Sequence, residues 1–596
     1  MRATRALSTA TFVAGFALLL SIPGVGCGGG AVVEPKVAET APPIATKPAP
    51  PAPGLIPATA DKPATADKPA DVIAHKYAVA TENATASDIA MAVLERGGTA
   101  VDAAIAATLA VGVVHPVSSG IGGGGFVVVY DAKTKEVKIL DFRESAPKGL
   151  KPNELSKRPP EDKKRGVMTG TPGEIAGLFE MHSRWGKLAF VDLVRGAADA
   201  ADKGFPVSAH MARALKWNDK WLLGSPRYGL FAKAGAIVPA GEIVKNPALA
   251  ATLRKIGAEG KKAFYEGAIA ADILATSREG GGHLTAADLQ KYEVKERTPL
   301  RTRWEGYEIA TMPPPSAGGL MMLETLQMHS KADLSALGHN TGAYAHLMAE
   351  TFRGAIADRM HFIGDPEFVK ADIAALTAPE RMKARKAQLS MTTTTPAEKF
   401  PLKEAGTTHI VVVDAEGNVA CVTSTVNNMF GAKLVTQGGF LLNDELDDFT
   451  NERLVKLYGK QPAPNAPRAG ARPTSSMTPT IVLRDGKPVL ALGGSGGTRI
   501  ATGTTQVLLG HLVFGLSVSQ SIAAPRIETP PWGGLLVDAA IGADVITDLG
   551  KRGEVVDTSK PNFSGVQAVS IQEGPGGLRI LEAGGDPRKG GVGLVK

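Results

Sequence analysis

The stretch that decides the fold covers residues 406–431 and reads GTTHIVVVDAEGNVACVTSTVNNMFG. Two runs rich in β-branched residues, 409–413 and 419–426, are joined by five residues that include Gly417 and Asn418. Apolar runs of this kind on either side of a short Gly/Asn connection predict an antiparallel β-hairpin.

The register of this hairpin brings hydroxyl groups together. If Val413 pairs with Val419 across the turn, Thr407 stands opposite Thr425, with side chains roughly 4.5–5.5 Å apart. The two-residue period of a strand places Asn427 on the same face. Two hydroxyls and an amide then converge beside a Gly-Thr peptide bond. A Thr–Thr pair is often only structural, so the rest of the chain must decide whether it carries chemistry.

Composition limits the classes of protein that this chain can belong to. Its 596 residues are 44% hydrophobic and 21% charged, which is typical of a soluble globular protein with a sizeable core. The formal charge of +7 comes from scattered Lys and Arg without interleaved aromatic residues, which argues against a nucleic-acid partner. The eleven histidines show no HExxH or Cys-His spacing, so no metal ion is predicted. Of the two cysteines, Cys421 is predicted to be a buried free thiol.

The first 72 residues are typical of an export signal and a tether. Residues 1–26 combine Arg2 and Arg5 with an apolar stretch over 6–22, which predicts export to the periplasm or envelope membrane. The end of this segment resembles a bacterial lipoprotein signal, in which Cys27 carries the lipid anchor, although Gly24 replaces the usual Leu. Residues 28–72 are rich in Pro and Ala, contain TADKPA twice, and predict a semi-extended linker.

A glycine run, GIGGGG at residues 120–125, formally matches the GxGxxG pattern of dinucleotide-binding proteins. That pattern needs to follow a strand and open a helix. Here it follows a predicted helix over 99–113 and opens a predicted strand over 126–130. We therefore predict no nucleotide cofactor, and infer that the glycines let the backbone approach another element closely.

Two charged motifs each admit a structural and a functional interpretation. Arg143, in DFRE at 141–144, follows a predicted buried strand and forms either a structural ion pair or a fork for a substrate carboxylate. The run NDELDDF at 443–449 is either a solvated loop or a receptor for an ammonium group.

The loop GGSGG at 493–497 matches the GxSxG pattern of serine hydrolases between a predicted strand and helix. The single histidine after Ser495 is His511, on the helix that the loop would open, so a triad spread over separate loops cannot be built. We favour a different use, in which backbone N–H groups at the helix start bind an oxyanion.

Taken together, these motifs resemble those of the γ-glutamyltransferases (γ-glutamyl transpeptidases, glutathione hydrolases) of bacterial type, from about residue 77 to the C-terminus. The matching motifs are GTTH at 406–409, TxN at 425–427, DDF at 447–449, PxSSMxP at 473–479, GG at 496–497 and DFRE at 141–144.

The resemblance implies an α+β fold, a four-layer αββα sandwich of the N-terminal nucleophile hydrolase type, built from both processed segments. The precursor would cleave itself between Gly406 and Thr407 into a large subunit, 73–406, and a small catalytic subunit, 407–596, that stay associated. Thr407 would be the nucleophile and its freed α-amine the base, near its reference pKa of about 7.7–8.0. Thr425 would orient the Thr407 hydroxyl.

The resemblance also assigns a binding site for the γ-glutamyl headgroup. It would consist of a cationic fork for the α-carboxylate, an acidic receptor on the opposite side for the α-amine, and an oxyanion hole. The carboxylate fork would be Arg143 with Ser475 and Ser476. The receptor for the α-amine would be Asn427, Glu445 and Asp448. The amides of Gly496 and Gly497 would form the oxyanion hole. Two departures stand out: Glu445 occupies a position where many bacterial members have Gln, and residues 450–472, where a lid often lies, diverge.

The function that the resemblance implies is γ-glutamyl transfer from glutathione and related donors to water or to amino acid and peptide acceptors. A related self-cleaving acylase acting on glutaryl or cephalosporin side chains is the first alternative. A non-catalytic, lipid-tethered envelope binding protein is the second.

Overall fold

The structure, a computed structural model, describes residues 74–155, 165–395, 405–450, 463–529, 534–559 and 564–596. The predicted export signal, Cys27 and the linker at 28–72 lie outside these residues, as does the 451–462 part of the divergent segment. Within the described ranges, no helix combines the length and apolar character needed to cross a bilayer.

Thirteen strands, numbered here along the chain, form the two main sheets within the described residues. They are β1 Ala78–Thr81, β2 Gly124–Asp131, β3 Glu136–Phe142, β4 Lys295–Arg297, β5 Leu300–Trp304, β6 Tyr307–Thr311, β7 Ala405–Val413, β8 Val419–Asn428, β9 Thr480–Arg484, β10 Lys487–Ser495, β11 Gly565–Glu573, β12 Arg579–Gly584 and β13 Val592–Val595. The first sheet has the order β13-β1-β7-β8-β2-β3-β4, and the second the order β12-β11-β10-β9-β6-β5. Every neighbouring pair in both sheets is antiparallel.

Helices make up much of the remaining described chain. The α-helices span Ala84–Glu95, Ala100–Val114, Glu174–Trp185, Phe190–Lys203, Ala209–Trp217, Asp219–Leu223, Pro247–Glu259, Lys262–Tyr265, Gly267–Glu279, Ala286–Gln290, Gly318–Met328, Lys331–Leu337, Gly342–Phe362, Ile373–Leu376, Pro379–Gln388, Arg499–Leu512, Val518–Ala523 and Ala543–Lys551. Short strands form three small sheets: Ile527–Glu528 with Leu535–Val537 and Val556–Asp557, Phe205–Pro206 with Ile243–Val244, and Ala232–Lys233 with Ala236–Ile237.

The buried side chains of β7 show how the layers are arranged. Val411 points into an apolar cluster shared with Ile481 of the second sheet, so the two sheets pack face to face. Val412 points the other way, into a cluster with the fully buried helix Ala100–Val114. A third cluster joins Leu490, on the outer face of the second sheet, to further helices. The order helices–sheet–sheet–helices confirms the predicted αββα sandwich.

The central hairpin has the predicted register. β7 pairs with β8 so that Val413 faces Val419 and Thr407 faces Thr425. A β-bulge between Gly406 and Thr407 then shifts the pairing by one residue. Both strands are buried on both faces, which is why they read as nearly continuous apolar runs.

Two local predictions need correction. Ser87 matches the pattern of an N-cap and predicts a helix that starts there, but the first helix begins at Ala84, because the Asn83 side chain accepts a hydrogen bond from the Thr85 N–H and caps the helix. The apolar residues at the end of 438–442 predict a short strand, but the structure shows only an isolated bridge between Val435 and Leu441 there.

The glycine run opens β2 and lies against the ends of other strands, as predicted. A Cβ atom on Gly123 would stand 2.0 Å from the Thr425 carbonyl oxygen, and one on Gly125 would stand 2.1 Å from the Thr423 carbonyl oxygen. Side chains at these positions would separate β2 from β8.

Adding one methyl group at Gly123 should therefore disturb the site-bearing hairpin. We expect Gly123→Ala to lower the free energy of unfolding by about 3 kcal/mol, since its clash is with backbone. The measurement is denaturant unfolding beside Gly149→Ala, where no atom lies within 4 Å of the added Cβ. Equal stability of the two variants would contradict the account.

Candidate active site

The hydroxyls of Thr407 and Thr425 meet at the carbonyl group of the Gly406–Thr407 peptide bond. Their Oγ1 atoms are 3.2 Å apart, and both residues are almost fully buried. Thr407 Oγ1 donates to the Gly406 carbonyl oxygen at 2.8 Å, and Thr425 Oγ1 donates to the same oxygen at 2.6 Å. Two hydroxyls are thus aimed at the carbonyl that precedes Thr407.

A small cavity lies beside this pair and collects nearly all the predicted site residues. Its lining consists of Arg143, Arg359, Thr407, Thr425, Asn427, Glu445, Asp448, Ser475, Ser476, Met477, Gly497, Thr498 and Ile500. Gly496 is not part of the lining; it precedes Gly497, and both have positive φ angles, 123° and 65°. Arg359 is a lining residue that no sequence motif indicated.

Asn427 reaches the cavity because the bulge turns its backbone. Its φ of 72° is a left-handed conformation that Asn tolerates better than most residues. Its backbone N–H donates to Thr425 Oγ1 at 2.9 Å, and its side-chain amide donates to the Asp444 carbonyl oxygen at 3.0 Å. Asn427 therefore connects the threonine pair to the acidic turn.

Arg143 is buried and its fork is engaged by the acidic residues. One guanidinium nitrogen lies 2.6 Å from Glu445 Oε1 and another 2.8 Å from Asp448 Oδ2, while Nε donates to the Pro473 carbonyl oxygen at 2.7 Å. The expectation that the fork and the acidic receptor stand on opposite sides is therefore wrong for this structure. The reason is that a buried guanidinium needs charged partners.

The acidic run is not a solvated loop. Glu445–Asp448 form a 3-10 turn in which Glu445, Leu446 and Asp447 are buried. Besides Arg143, a second arginine neutralises it: Arg165 lies 2.7 Å from Asp444 Oδ2 and 2.8 Å from Asp447 Oδ1. Arg165 was missed because it belongs to no motif and is distant in sequence.

The pKa of Glu445 is raised well above its ordinary value. Burial is the main cause, and the neighbouring carboxyls of Glu144 and Asp448 add to it. Burial likewise raises the pKa of Glu144 to about 8. Arg143 contacts both Glu445 and Asp448, so its charge is shared between two carboxyls and offsets the burial of Glu445 only in part. Glu445 in its neutral form would resemble a Gln in hydrogen-bonding shape.

The two serines lie in an ordered loop. Ser475 Oγ accepts a hydrogen bond from the Met477 N–H at 3.1 Å, and the Ser475 N–H donates to the Pro315 carbonyl oxygen at 3.0 Å. The Ser476 carbonyl oxygen accepts from Thr478 Oγ1 at 2.8 Å. These contacts fix the backbone that presents both serines to the cavity.

The structure does not support the serine-hydrolase interpretation. Ser495 is fully buried and donates to a Glu82 carboxyl oxygen. His511 Nδ1 lies 2.8 Å from the Leu516 carbonyl oxygen. Ser495 is also absent from the lining of the cavity.

A second group of ligand-type residues has the character of an ion-pair network. His346, Glu350 and Glu554 bring their side-chain atoms within 4.8 Å of one another. The guanidinium of Arg353 donates to both glutamates, and His346 Nδ1 lies 2.8 Å from Glu554 Oε1. The side chains of this group thus find their partners within the protein.

Similarity to solved structures defines the class of protein. The cephalosporin acylase from Bacillus halodurans is 24% identical, with a TM-score of 0.77 over 90% of this chain and 98% of that one. The Helicobacter pylori gamma-glutamyltranspeptidase is 34% identical, with a TM-score of 0.51 over 56% of this chain and 95% of that one. The fold is that of the N-terminal nucleophile hydrolases.

Sequence comparison gives the family. The sequence profile of the Gamma-glutamyltranspeptidase family matches residues 86–595, and the chain belongs to that family of enzymes. The glutathione hydrolase proenzyme of Bacillus subtilis (strain 168) is 34% identical over 520 residues, covering 83% of this chain and 87% of its own. Glutathione hydrolase 2 of Arabidopsis thaliana is 36% identical over 547 residues, covering 87% and 94%.

The raised pKa of Glu445 makes a prediction about stability. A buried acid whose folded pKa is raised weakens the fold as pH increases from the unfolded pKa toward the folded one. Glu445→Gln removes this ionisation. The melting temperature of the variant minus that of wild type should therefore be higher at pH 8 than at pH 5. Scanning calorimetry at both pH values tests this, with the exposed Glu416→Gln as control. A relative melting temperature that is no better at pH 8 would contradict it.

Proposed function

We propose that this protein is a γ-glutamyltransferase and glutathione hydrolase that matures by cleaving its own chain between Gly406 and Thr407. The observation that carries the proposal is the placement of the Thr407 and Thr425 hydroxyls on the Gly406 carbonyl oxygen, beside a cavity lined by Arg143, Glu445 and Asp448. The relatives named glutathione hydrolase proenzymes support it.

The maturation step uses the contacts around Gly406. Thr407 Oγ1 attacks the Gly406 carbonyl carbon and its proton passes to the Thr407 nitrogen as the C–N bond breaks, leaving an ester. The Thr407 α-amine is free once the C–N bond has broken, and water then hydrolyses the ester to release the Gly406 carboxylate and the Thr407 hydroxyl. The Thr425 hydroxyl, 2.6 Å from the Gly406 oxygen, stabilises the negative charge that develops there.

The transfer step uses the same hydroxyl on an external amide. The free α-amine of Thr407 accepts the Oγ1 proton as Oγ1 attacks the γ-carbonyl carbon of the donor. The proton then passes to the leaving amine, and an acyl ester on Thr407 remains. Water or the amine of an acceptor resolves this ester. The amides of Gly496 and Gly497, at the start of helix Arg499–Leu512, are suited to hold the oxyanion.

The charged residues of the cavity suit a zwitterionic headgroup. A substrate α-carboxylate binding to Arg143 would replace the contact with Glu445, 2.6 Å away. Asp448 and the carbonyl-rich turn beside Asn427 would then face the substrate ammonium. Glutathione and other γ-glutamyl compounds carry this headgroup, so they are the proposed donors, with amino acids and peptides as acceptors.

The place of action is proposed from the sequence alone. The basic and apolar pattern of residues 1–26 supports export, and the small residues before Cys27 support a lipid anchor at that cysteine. The Pro- and Ala-rich residues 28–72 would separate the catalytic part from the membrane.

Removing the nucleophile should abolish activity. We expect Thr407→Ala to lower kcat/KM for γ-glutamyl-p-nitroanilide by at least about 10³-fold and to leave the chain uncut, whereas Thr407→Ser keeps both reactions. Release of p-nitroaniline and a denaturing gel measure the two outcomes. Full activity of the Ala variant would refute the assignment of Thr407.

The step that Thr425 is expected to affect first is the self-cleavage of the precursor. Thr425→Ala removes a hydroxyl donated to the Gly406 oxygen, so self-cleavage should slow by about 10²-fold, while Thr425→Ser retains it. The rate is followed by gel after synthesis of the fresh precursor. Cleavage of Thr425→Ala at the wild-type rate would contradict this role.

Donors with and without an α-amine separate the proposed function from the acylase alternative. Asp448→Ala should reduce activity on γ-glutamyl-p-nitroanilide by about 10²-fold because it removes a partner of the ammonium group. The exposed Asp544→Ala serves as matched control. A wild type that prefers glutaryl-p-nitroanilide, with Asp448→Ala unaffected, would favour the acylase.

A further inference from the structure

The buried side chain of Lys589 contacts the carbonyl group of Thr407 and takes no part in the steps above. Lys589 ends the 3-10 turn Pro587–Lys589 and is 2% exposed. Its ammonium donates to the Thr407 carbonyl oxygen at 3.3 Å and to Ser495 Oγ at 2.7 Å. A buried ammonium is costly unless the fold supplies partners, so its presence there needs an explanation.

The surroundings of Lys589 form a built site. Ser495 Oγ donates in turn to Glu82 Oε1, and the other Glu82 oxygen lies 3.9 Å from the Lys589 ammonium. Gln567 donates to Glu82 Oε1 at 3.1 Å. A Cβ on Gly565 would stand 3.0 Å from Lys589 Cδ and 3.2 Å from Ser495 Oγ, so this strand position leaves room for the group. We name Glu82, Ser495 and Lys589 the rear triad.

We propose that Lys589 is a positioning residue for Thr407: held by Ser495 and Glu82, its ammonium fixes the Thr407 carbonyl and favours the neutral form of the α-amine that chain cleavage releases. This inference rests on the proposed function, because it needs Thr407 to become an N-terminus. It also gives the buried Ser495 a role other than that of a nucleophile.

Two physical effects follow from the contact. Cleavage removes the covalent anchor on the amino side of Thr407, and the hydrogen bond from Lys589 then holds the residue from its carbonyl side. In addition, a positive charge beside the same residue disfavours a second positive charge on its amine. The amine, whose reference pKa is about 7.7–8.0, is thereby kept available as a base at neutral pH.

Among the titratable and charged groups in and around the rear triad, Glu82 is the one whose ionisation opposes this effect. Burial and Lys589 lower the pKa of His115 to about 3, and burial together with nearby positive groups also lowers that of His210, so both rings are neutral. Burial raises the pKa of Glu82 to about 7. Further charges nearby are those of Asp586, which pairs with Arg526 and Arg588, and of Arg213. Glu82 is thus the neighbour whose charge changes near neutrality.

The test compares charge-removing and charge-keeping variants in the processed enzyme. Lys589→Met removes the ammonium, Lys589→Arg keeps a positive charge, and Glu82→Gln with Lys589→Met removes both charges so that no carboxylate is left buried and unpaired. The exposed Lys551→Met is the matched control. The first measurement is the pH dependence of labelling of the Thr407 α-amine by acetic anhydride, read by mass spectrometry of the small subunit. The second is the acid limb of kcat/KM for γ-glutamyl-p-nitroanilide.

We expect the amine titration and the acid limb to move up by about one pH unit in Lys589→Met and in the double variant. They should stay unchanged in Lys589→Arg and Lys551→Met. Unchanged titration in a cleaved, folded double variant would overturn the inference while leaving the proposed function standing. A wild type that stays one uncut band would overturn both the inference and the proposed function. A cleaved but inactive wild type would refute the transferase activity, and the labelling of the Thr407 α-amine would still decide the role of Lys589.

Discussion

The pairing of Thr407 with Thr425 across a hairpin buried on both faces is the constraint on which the site depends. A slip of one residue would exchange the two faces of both strands and move their apolar side chains out of their clusters. The register is therefore fixed by packing, and the bulge beside Gly406 adds the turn that brings Asn427 to the cavity. The glycine run at 120–125 also supports this arrangement, because it lets β2 lie close against β8 with no side chain between them.

Charge pairing connects the two segments that the proposed cleavage would separate. Arg143 and Arg165 come from the first segment, and the carboxyls they contact lie in the acidic turn of the second. The first sheet is interleaved in the same way, since β7 lies between β1 of the first segment and β8 of the second. To separate, the two segments of a cleaved chain would have to break both these ion pairs and the hydrogen bonds between neighbouring strands of the first sheet.

The hairpin register and the close approach of the glycine run were predictable because each follows from local spacing and from the absence of a Cβ. The burial of the acidic turn was not predictable, because it depends on Arg165, which lies 279 positions from its partner Asp444. The rear triad was equally hidden, since its outer members, Glu82 and Lys589, are near opposite ends of the described chain. The start of the first helix was misplaced because Ser87 resembles a cap, whereas its hydroxyl contacts Thr81 inside the fold.

The proposed activity requires a chain break that turns Thr407 into an amino terminus. The most direct measurement is Edman sequencing of the smaller fragment after the purified full-length protein has been incubated at neutral pH. Cleavage between Gly406 and Thr407 predicts a fragment beginning Thr-Thr-His-Ile-Val, from residues 407–411. A single intact chain after prolonged incubation, or a fragment beginning at any other residue, would contradict it.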